Sequence, residues 1–226
     1  MDPVLFWDFD GTLSLPNRSF TSALYDAISQ CGYTVNHAEA ESFCANLYSW
    51  KTPHIDYANR TNAQWWDTHF AKIRTFCISQ GIPAEAFDTI CTRFRKQLID
   101  VSNYRLYDDT IQTLEACTSL GYQNYLITNN YPEITENIKK LQLSPYFTDY
   151  IVSSHIGYEK PRAEFFEYAK KIAGNPTKAY VIGDNPKADI LGGHAAGFVT
   201  IAVHECRNSE ADYYCEQLSQ IISIIA

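Results

Sequence analysis

The sequence has no C-x-x-C pair, and its seven cysteines are odd in number, so they cannot all be paired with one another. Both facts disfavour a disulfide framework and a structural zinc site, and a reducing cytoplasm is the expected compartment. Positive charge is scarce: 18 Lys and Arg stand against 26 Asp and Glu, for a formal charge of −8 and a pI near 5.2. Polynucleotide binding draws its affinity from clustered basic side chains, so nucleic-acid partners are set aside. No basic segment followed by a long apolar stretch opens the chain, and no apolar run is long enough to cross a bilayer. Neither a signal peptide nor a membrane partner is therefore expected. Internal repeats and low-complexity tracts are also missing. The histidines lack ligand spacing, so His54, His69 and His155 are read as ordinary polar or packing residues. The glycosylation tripeptides at Asn17 and Asn59 are read as accidental.

What remains is an ordinary globular composition, 46% hydrophobic and 19% charged over 226 residues, enough for one core plus an insertion. Val4-Leu5-Phe6-Trp7 is a short apolar run that stops at Asp-Phe-Asp-Gly-Thr, the pattern of a buried strand ending in a polar turn. From about Ser19 to Ile99 the apolar spacing is helical: Phe20, Leu24, Ile28, then Trp66, Phe70, Ile73, Cys77, then Phe87, Ile90, Phe94, Leu98. After Asp108 the pattern alternates. Helices are expected near 110–120, 133–141, 163–173 and 188–196, and strands near 124–127, 150–152, 179–182 and 199–203. Gly121 and Gly197 fall where helices should end, and Asp108 or Asp109 can cap the helix that follows. Such alternation predicts an α/β fold, a doubly wound parallel sheet with helices on both faces. Residues 1–15 and 100–226 form this core, and 16–99 form an inserted all-helical domain. Tyr48, Trp50, Trp65 and Trp66 in the insertion are read as packing.

In an open parallel sheet, ligands bind beyond the carboxyl ends of the strands. Here those ends are polar. The first carries Asp8-Phe9-Asp10-Gly11-Thr12, the next Thr128-Asn129-Asn130; the third is followed by Lys160-Pro161, and the fourth carries Gly183-Asp184-Asn185-Pro186 with Asp189 behind it. Four carboxylates in one cleft would repel one another unless a cation neutralised them, and an all-oxygen ligand set selects a hard ion such as Mg2+.

These segments, in this order, resemble the four motifs of the haloacid dehalogenase superfamily: D-x-D-G-T, a Thr or Ser ending the second strand, a downstream Lys, and G-D-x-x-x-x-D. The stretches 114–129, 160–169 and 181–203 also look like superfamily sequence, and 211–225 like its closing strand and helix. The insertion has the position and helical character of the C1 cap. The resemblance implies that Asp8 is the nucleophile, transiently phosphorylated, and a metal ligand through its other oxygen. It makes Asp10 the general acid and base, with its backbone carbonyl on the metal and its carboxyl pKa raised by crowding. Thr128 and the backbone N–H groups near Phe9, Asp10 and Asn129 would bind the phosphoryl oxygens, Lys160 would offset charge, and Asp184 would complete the metal ligands. Thr12 and Asp189 would stand behind them, Asp189 holding a metal-bound water or bracing Lys160. Asp two positions after the nucleophile marks the phosphatase branch. Asn185 and Arg162-Ala163-Glu164 depart from the common pattern at the rim.

The expected function is Mg2+-dependent hydrolysis of a small phosphorylated metabolite. The alternatives are a sugar phosphomutase of the same superfamily and a non-catalytic phosphate-binding protein. Phosphoglycolate, sugar phosphates and nucleoside monophosphates are all open as substrates, and a monomer or homodimer is expected.

Overall fold

Val4–Trp7 form β1, the innermost strand of a six-stranded sheet, and all four residues are buried. The structure is a computed structural model and describes residues 3–16, 18–47, 58–207 and 210–226. The strands run β5 (Asp149–Val152), β4 (Gln123–Thr128), β1, β6 (Ala179–Gly183), β7 (Val199–Val203), β8 (Tyr213–Cys215), each parallel to its neighbours. The chain builds outward from β1 through β4 to β5, then returns to the other side of β1 for β6. That reversal opens a crevice at the carboxyl ends of β1, β4 and β6, where Trp7 lies level with Leu126 and Ile182.

Side chains of β1 alternate between two cores, as a period of two requires. Val4 and Phe6 pack with Tyr125, Ile127, Phe165 and Phe166. Leu5 and Trp7 join a larger core that continues into the insertion through Leu24, Ile73 and Phe94. The helices covering the sheet are α5 (Thr110–Ser119), α6 (Ile134–Lys140), α7 (Ser153–Ile156), α8 (Ala163–Ile172), α9 (Gly192–Ala195) and α10 (Ile222–Ile225). Gly121 (φ 86°) and Gly197 (φ 80°) adopt the left-handed conformation that ends α5 and α9.

The insertion's described elements are helical: α1 (Phe20–Ser29), α2 (His37–Ala45), α3 (Trp65–Ser79) and α4 (Phe87–Leu98), with short 3-10 turns. Two chain crossings join it to the sheet. They form a pair of short antiparallel strands, β2 (Ser14–Pro16) and β3 (Tyr104–Leu106), where the sequence showed only connecting segments. Three residues cannot display a period. Helix α2 also gave no clear signal, because it buries only Ala40 and Cys44. Insertion and core meet at Glu133, which accepts from Trp66 Nε1 (3.1 Å) and Arg95 Nε (2.9 Å), and at Asn137, which donates to the Ile99 carbonyl (3.1 Å).

Asp109 stands at the start of α5 without capping it; its carboxylate accepts from the Ser219 N–H instead (2.9 Å). The helix expected near 188–196 begins earlier, as a π turn over Pro186–Leu191. All seven cysteines are free thiols. Among the described residues, no helix is long and apolar enough to cross a membrane. Trp65 and Trp66 are buried; Asn17, Tyr48, Trp50 and His54 lie outside the described residues.

Candidate active site

β1 delivers Asp8 to the crevice, where its N–H donates to the Ile182 carbonyl (2.9 Å) and closes the ladder. The chain then turns tightly: the N–H groups of Leu13 and Ser14 both donate to the Phe9 carbonyl (3.0 Å each), and Gly11 takes φ 89°. A Cβ at Gly11 would lie 2.3 Å from Asp184 Oδ2, so only glycine lets this loop approach the β6 end.

Lys160 is the centre of charge. It is 2% exposed, and its Nζ donates to Asp8 Oδ1 (2.6 Å), Asp189 Oδ1 (2.5 Å) and the Ile127 carbonyl (3.0 Å). The Asn129 side chain fixes its backbone, with Oδ1 accepting from Lys160 N (2.8 Å) and Nδ2 donating to Lys160 O (2.9 Å). Taken singly, Lys160 reads as a surface residue, but the fold buries it between two carboxylates. Asp189 accepts from Lys160 with one oxygen and from the Asn185 N–H with the other (3.0 Å), a bracing position. Thr12 Oγ1 lies 3.4 Å from Asp8 Oδ2 and 3.2 Å from Asp184 Oδ1, linking the two carboxylates from behind. Thr128 is buried at the end of β4 and lines the cavity, and the Phe9 side chain packs beneath, 5.3 Å from the Tyr104 ring.

Burial drives the electrostatics. It pushes the Asp8 carboxyl up, and Lys160 pulls it back. Burial, then Asp8 and Asp184, raise Asp10 to about 7. Asp184 is raised to about 6 by burial and by Asp189, and Asp189 to about 6 by burial against the pull of Lys160. Burial alone would lower Lys160, but Asp189 and Asp8 reverse this and hold it above the usual lysine range.

Oxygens of Asp8, Asp184 and Asp189 lie within 4.8 Å of one another. Lys160 engages Asp8 and Asp189, while Asp184 accepts from the Thr12 hydroxyl (3.2 Å). Three clustered carboxylates facing one ammonium leave excess negative charge, and the donor set is all oxygen. A hard divalent cation fits it. Asp8, Asp184 and Asp189 each bring an oxygen within reach of such an ion, and Asp184 is the one of the three that Lys160 does not engage.

Sequence reasoning passed over three features. Asn130 donates to Asp10 Oδ2 (2.7 Å), and buried Oδ1 has no partner among the described residues. Tyr104 and Tyr131 share a hydrogen bond between hydroxyls (2.7 Å) at the junction with the insertion. Glu159 is buried beside Lys160. An Asn or Tyr at such a position carries no spacing signal, because its role depends on strands and helices that meet only in the fold. All of these residues border one cavity of about 390 Å³, which Phe20, Leu47, Trp65, His69 and Leu98 also line.

Residues 3–197 match the sequence model of a family described as haloacid dehalogenase-like hydrolase. Among curated proteins, the chain is 36% identical over 78 residues to pyrimidine 5'-nucleotidase YjjG of Escherichia coli, covering 33% of this chain and 35% of that protein. It is 27% identical over 135 residues to glyceraldehyde 3-phosphate phosphatase of Methanocaldococcus jannaschii, covering 56% and 59%. The aligned parts of these two relatives thus span about a third and three fifths of their length. Similarity to haloacid dehalogenase-like hydrolase domain-containing protein 3 of Xenopus laevis is lower but longer, 22% over 206 residues, or 89% of this chain and 84% of that one. The fold superposes on the HAD-hydrolase YfnB of Bacillus subtilis, solved bound to magnesium, with a TM-score of 0.73 at 19% identity over 99% of this chain and 98% of that one. With the D-x-D-G-T turn, the strand-end threonine, the buried lysine and the acidic loop converging on one cavity, this chain belongs to the haloacid dehalogenase-like hydrolases.

Proposed function

We propose that this chain is a Mg2+-dependent phosphohydrolase that cleaves a small-molecule phosphate monoester through an aspartyl-phosphate on Asp8. The observation that carries this reading is the carboxyl pair Asp8 and Asp10 at one end of the cavity, with Lys160 Nζ 2.6 Å from Asp8. The phosphatase and nucleotidase names of the relatives point the same way.

Asp8 would attack phosphorus, forming the acyl-phosphate bond as the ester P–O bond breaks. Asp10 is suited to the accompanying proton transfer: its pKa is raised to about 7, Asn130 fixes Oδ2, and Oδ1 has no partner among the described residues. A group poised there can protonate the departing alkoxide and then take a proton from the water that hydrolyses the intermediate. The Thr128 hydroxyl and the N–H groups of Phe9, Asp10 and Asn129 would hold the phosphoryl oxygens, while Lys160 offsets their charge. Asp8, Asp184 and the Asp10 carbonyl would hold Mg2+, which when bound neutralises charge on the transferring phosphoryl group. The helical insertion would cover the leaving group and exclude water during the first transfer.

The test is phosphate release from a panel of monoesters that includes glyceraldehyde 3-phosphate, a pyrimidine nucleoside 5'-monophosphate, phosphoglycolate and sugar phosphates. Release should require Mg2+, stop in EDTA and be abolished in Asp8→Asn. Substrate consumption without phosphate release would point to a mutase, and no turnover of any ester would overturn the proposal.

A further inference from the structure

Among the described residues lining the cavity near the insertion, Trp65 Nε1 is without a partner, while several other polar side chains are engaged. Arg18 donates to Asp26 (2.6 Å) and to Gln97, Asn103 donates to the Gln97 carbonyl (2.5 Å), and the Tyr104 and Tyr131 hydroxyls bond each other (2.7 Å). Glu159 differs. It lines the same cavity, is 8% exposed, and its carboxyl makes no hydrogen bond among the described residues. Burial pushes it up to about 8, opposed by the charge of Lys72. Lys72 lies on α3, the helix that also brings Trp65 and His69 to the cavity wall.

The carboxyl oxygens are not among the fully enclosed atoms left without a partner, so a ligand in the cavity can reach and bond them. Hydrogen bonds to the charged form would also draw its pKa back down. Lys72 alone does not hold the carboxyl charged, and uncharged hydroxyl groups of a ligand can donate to its oxygens. A second anionic group on the ligand would find no spare cation, because Arg18 and Lys160, the lysine and arginine among the described lining residues, are both engaged. The apolar side chains Phe20, Trp65 and Leu98 leave room for a carbon skeleton.

We infer that Glu159 is a specificity-determining residue that accepts hydrogen bonds from hydroxyl groups of an uncharged, polyhydroxylated leaving group. The substrate class is then a sugar or polyol phosphate, and the inference rests on the phosphohydrolase reading above.

The experiment pairs each hydroxylated ester with its skeleton lacking hydroxyls: glycerol 3-phosphate with n-propyl phosphate, and ribose 5-phosphate with tetrahydrofurfuryl phosphate. Initial rates with Mg2+ give kcat/KM for wild type, Glu159→Gln and Glu159→Leu. The wild type should prefer a hydroxylated member at least ten-fold. Glu159→Leu should bring that ratio within about three-fold of unity, mainly through KM, and Glu159→Gln, which keeps an acceptor oxygen, should retain part of it. A merely structural role would move both members of a pair together. Equal wild-type rates on both members, or a preference that survives in Glu159→Leu, overturns the inference and leaves the phosphohydrolase reading standing. Failure of the wild type on these esters and on the wider panel overturns both. If Glu159→Leu does not fold, a ratio in Glu159→Gln that falls below the wild-type value supports the inference, and an unchanged ratio overturns it.

Discussion

Replacing Lys160 by Met keeps the length and bulk of the stem and deletes its charge. The ammonium sits 2.6 Å from Asp8 and 2.5 Å from Asp189, in a side chain 2% exposed. Its loss leaves two buried carboxylates with no lysine between them, and removing one member of such a cluster costs about 3–5 kcal/mol. One carboxylate can escape by taking up a proton. Asp189, already raised to about 6, does so more readily than an ordinary Asp, which caps the loss within that range. For a chain of this size, a loss of about 4 kcal/mol lowers Tm by about 8–16 °C. The assay is urea unfolding at pH 7 in EDTA, wild type against Lys160→Met, repeated with Mg2+. The divalent ion should recover part of the deficit by facing Asp8 in place of the ammonium. A loss below about 1 kcal/mol, or a gain, would refute the reasoning, because it would mean that Lys160 does not hold these carboxylates together.

The same carboxylates make stability depend on pH in a defined sense. Burial holds Asp10 at about 7 and Asp184 and Asp189 at about 6, all above their unfolded values. The metal-free folded protein therefore binds more protons than the unfolded chain between about pH 4 and pH 7, and its stability should fall as pH rises through that window. Mg2+ should flatten this slope. Unfolding at pH 5 and pH 7.5, with EDTA or Mg2+, measures it, and a rise in stability with pH in EDTA contradicts the expectation. At Gly183, an added Cβ would lie 2.3 Å from Asp189 Cγ. Gly183→Ala must push Asp189 off Lys160, so thermal melts should show a loss of about 1–3 kcal/mol and phosphate release should drop. Wild-type stability and rate would refute the contact.

Much of this arrangement was legible because strand ends are legible. An apolar run that stops at a carboxylate announces both the strand and where it delivers the side chain, as Val4–Trp7 do for Asp8 and Ala179–Gly183 do for Asp184. The alternation after Asp108 likewise placed β4, β5, β6 and β7 within a residue or two of where they lie. The strands β2 and β3 were not legible, since their pairing depends on residues 88 to 92 positions apart meeting in register, Ser14 opposite Leu106 at one end. Asn130 and Glu159 escaped for a related reason. Each sits beside a residue of obvious chemistry, and its own role is set by what the fold places opposite it: Asp10 in one case, the cavity and Lys72 in the other. Of Asp108 and Asp109, either of which could cap α5, Asp109 takes the N-cap position, but the C-terminal segment offers its carboxylate a different N–H, that of Ser219.

The pairing of β2 with β3 also bears on how such a chain can change. Where the excursion leaves the sheet and where it returns lie side by side, one strand spacing apart, with Pro16 opposite Tyr104. The two ends of the intervening segment are thus tethered together whatever lies between them. Lengthening a tethered excursion adds only a logarithmic entropy term, and shortening it removes one. Substituting or resizing the helices between 17 and 103 therefore need not disturb the register of β1 with β4 and β6, which fixes the reacting groups. The stem separates the part of the molecule that can drift from the part that cannot, and a lineage can remodel the first without re-solving the second.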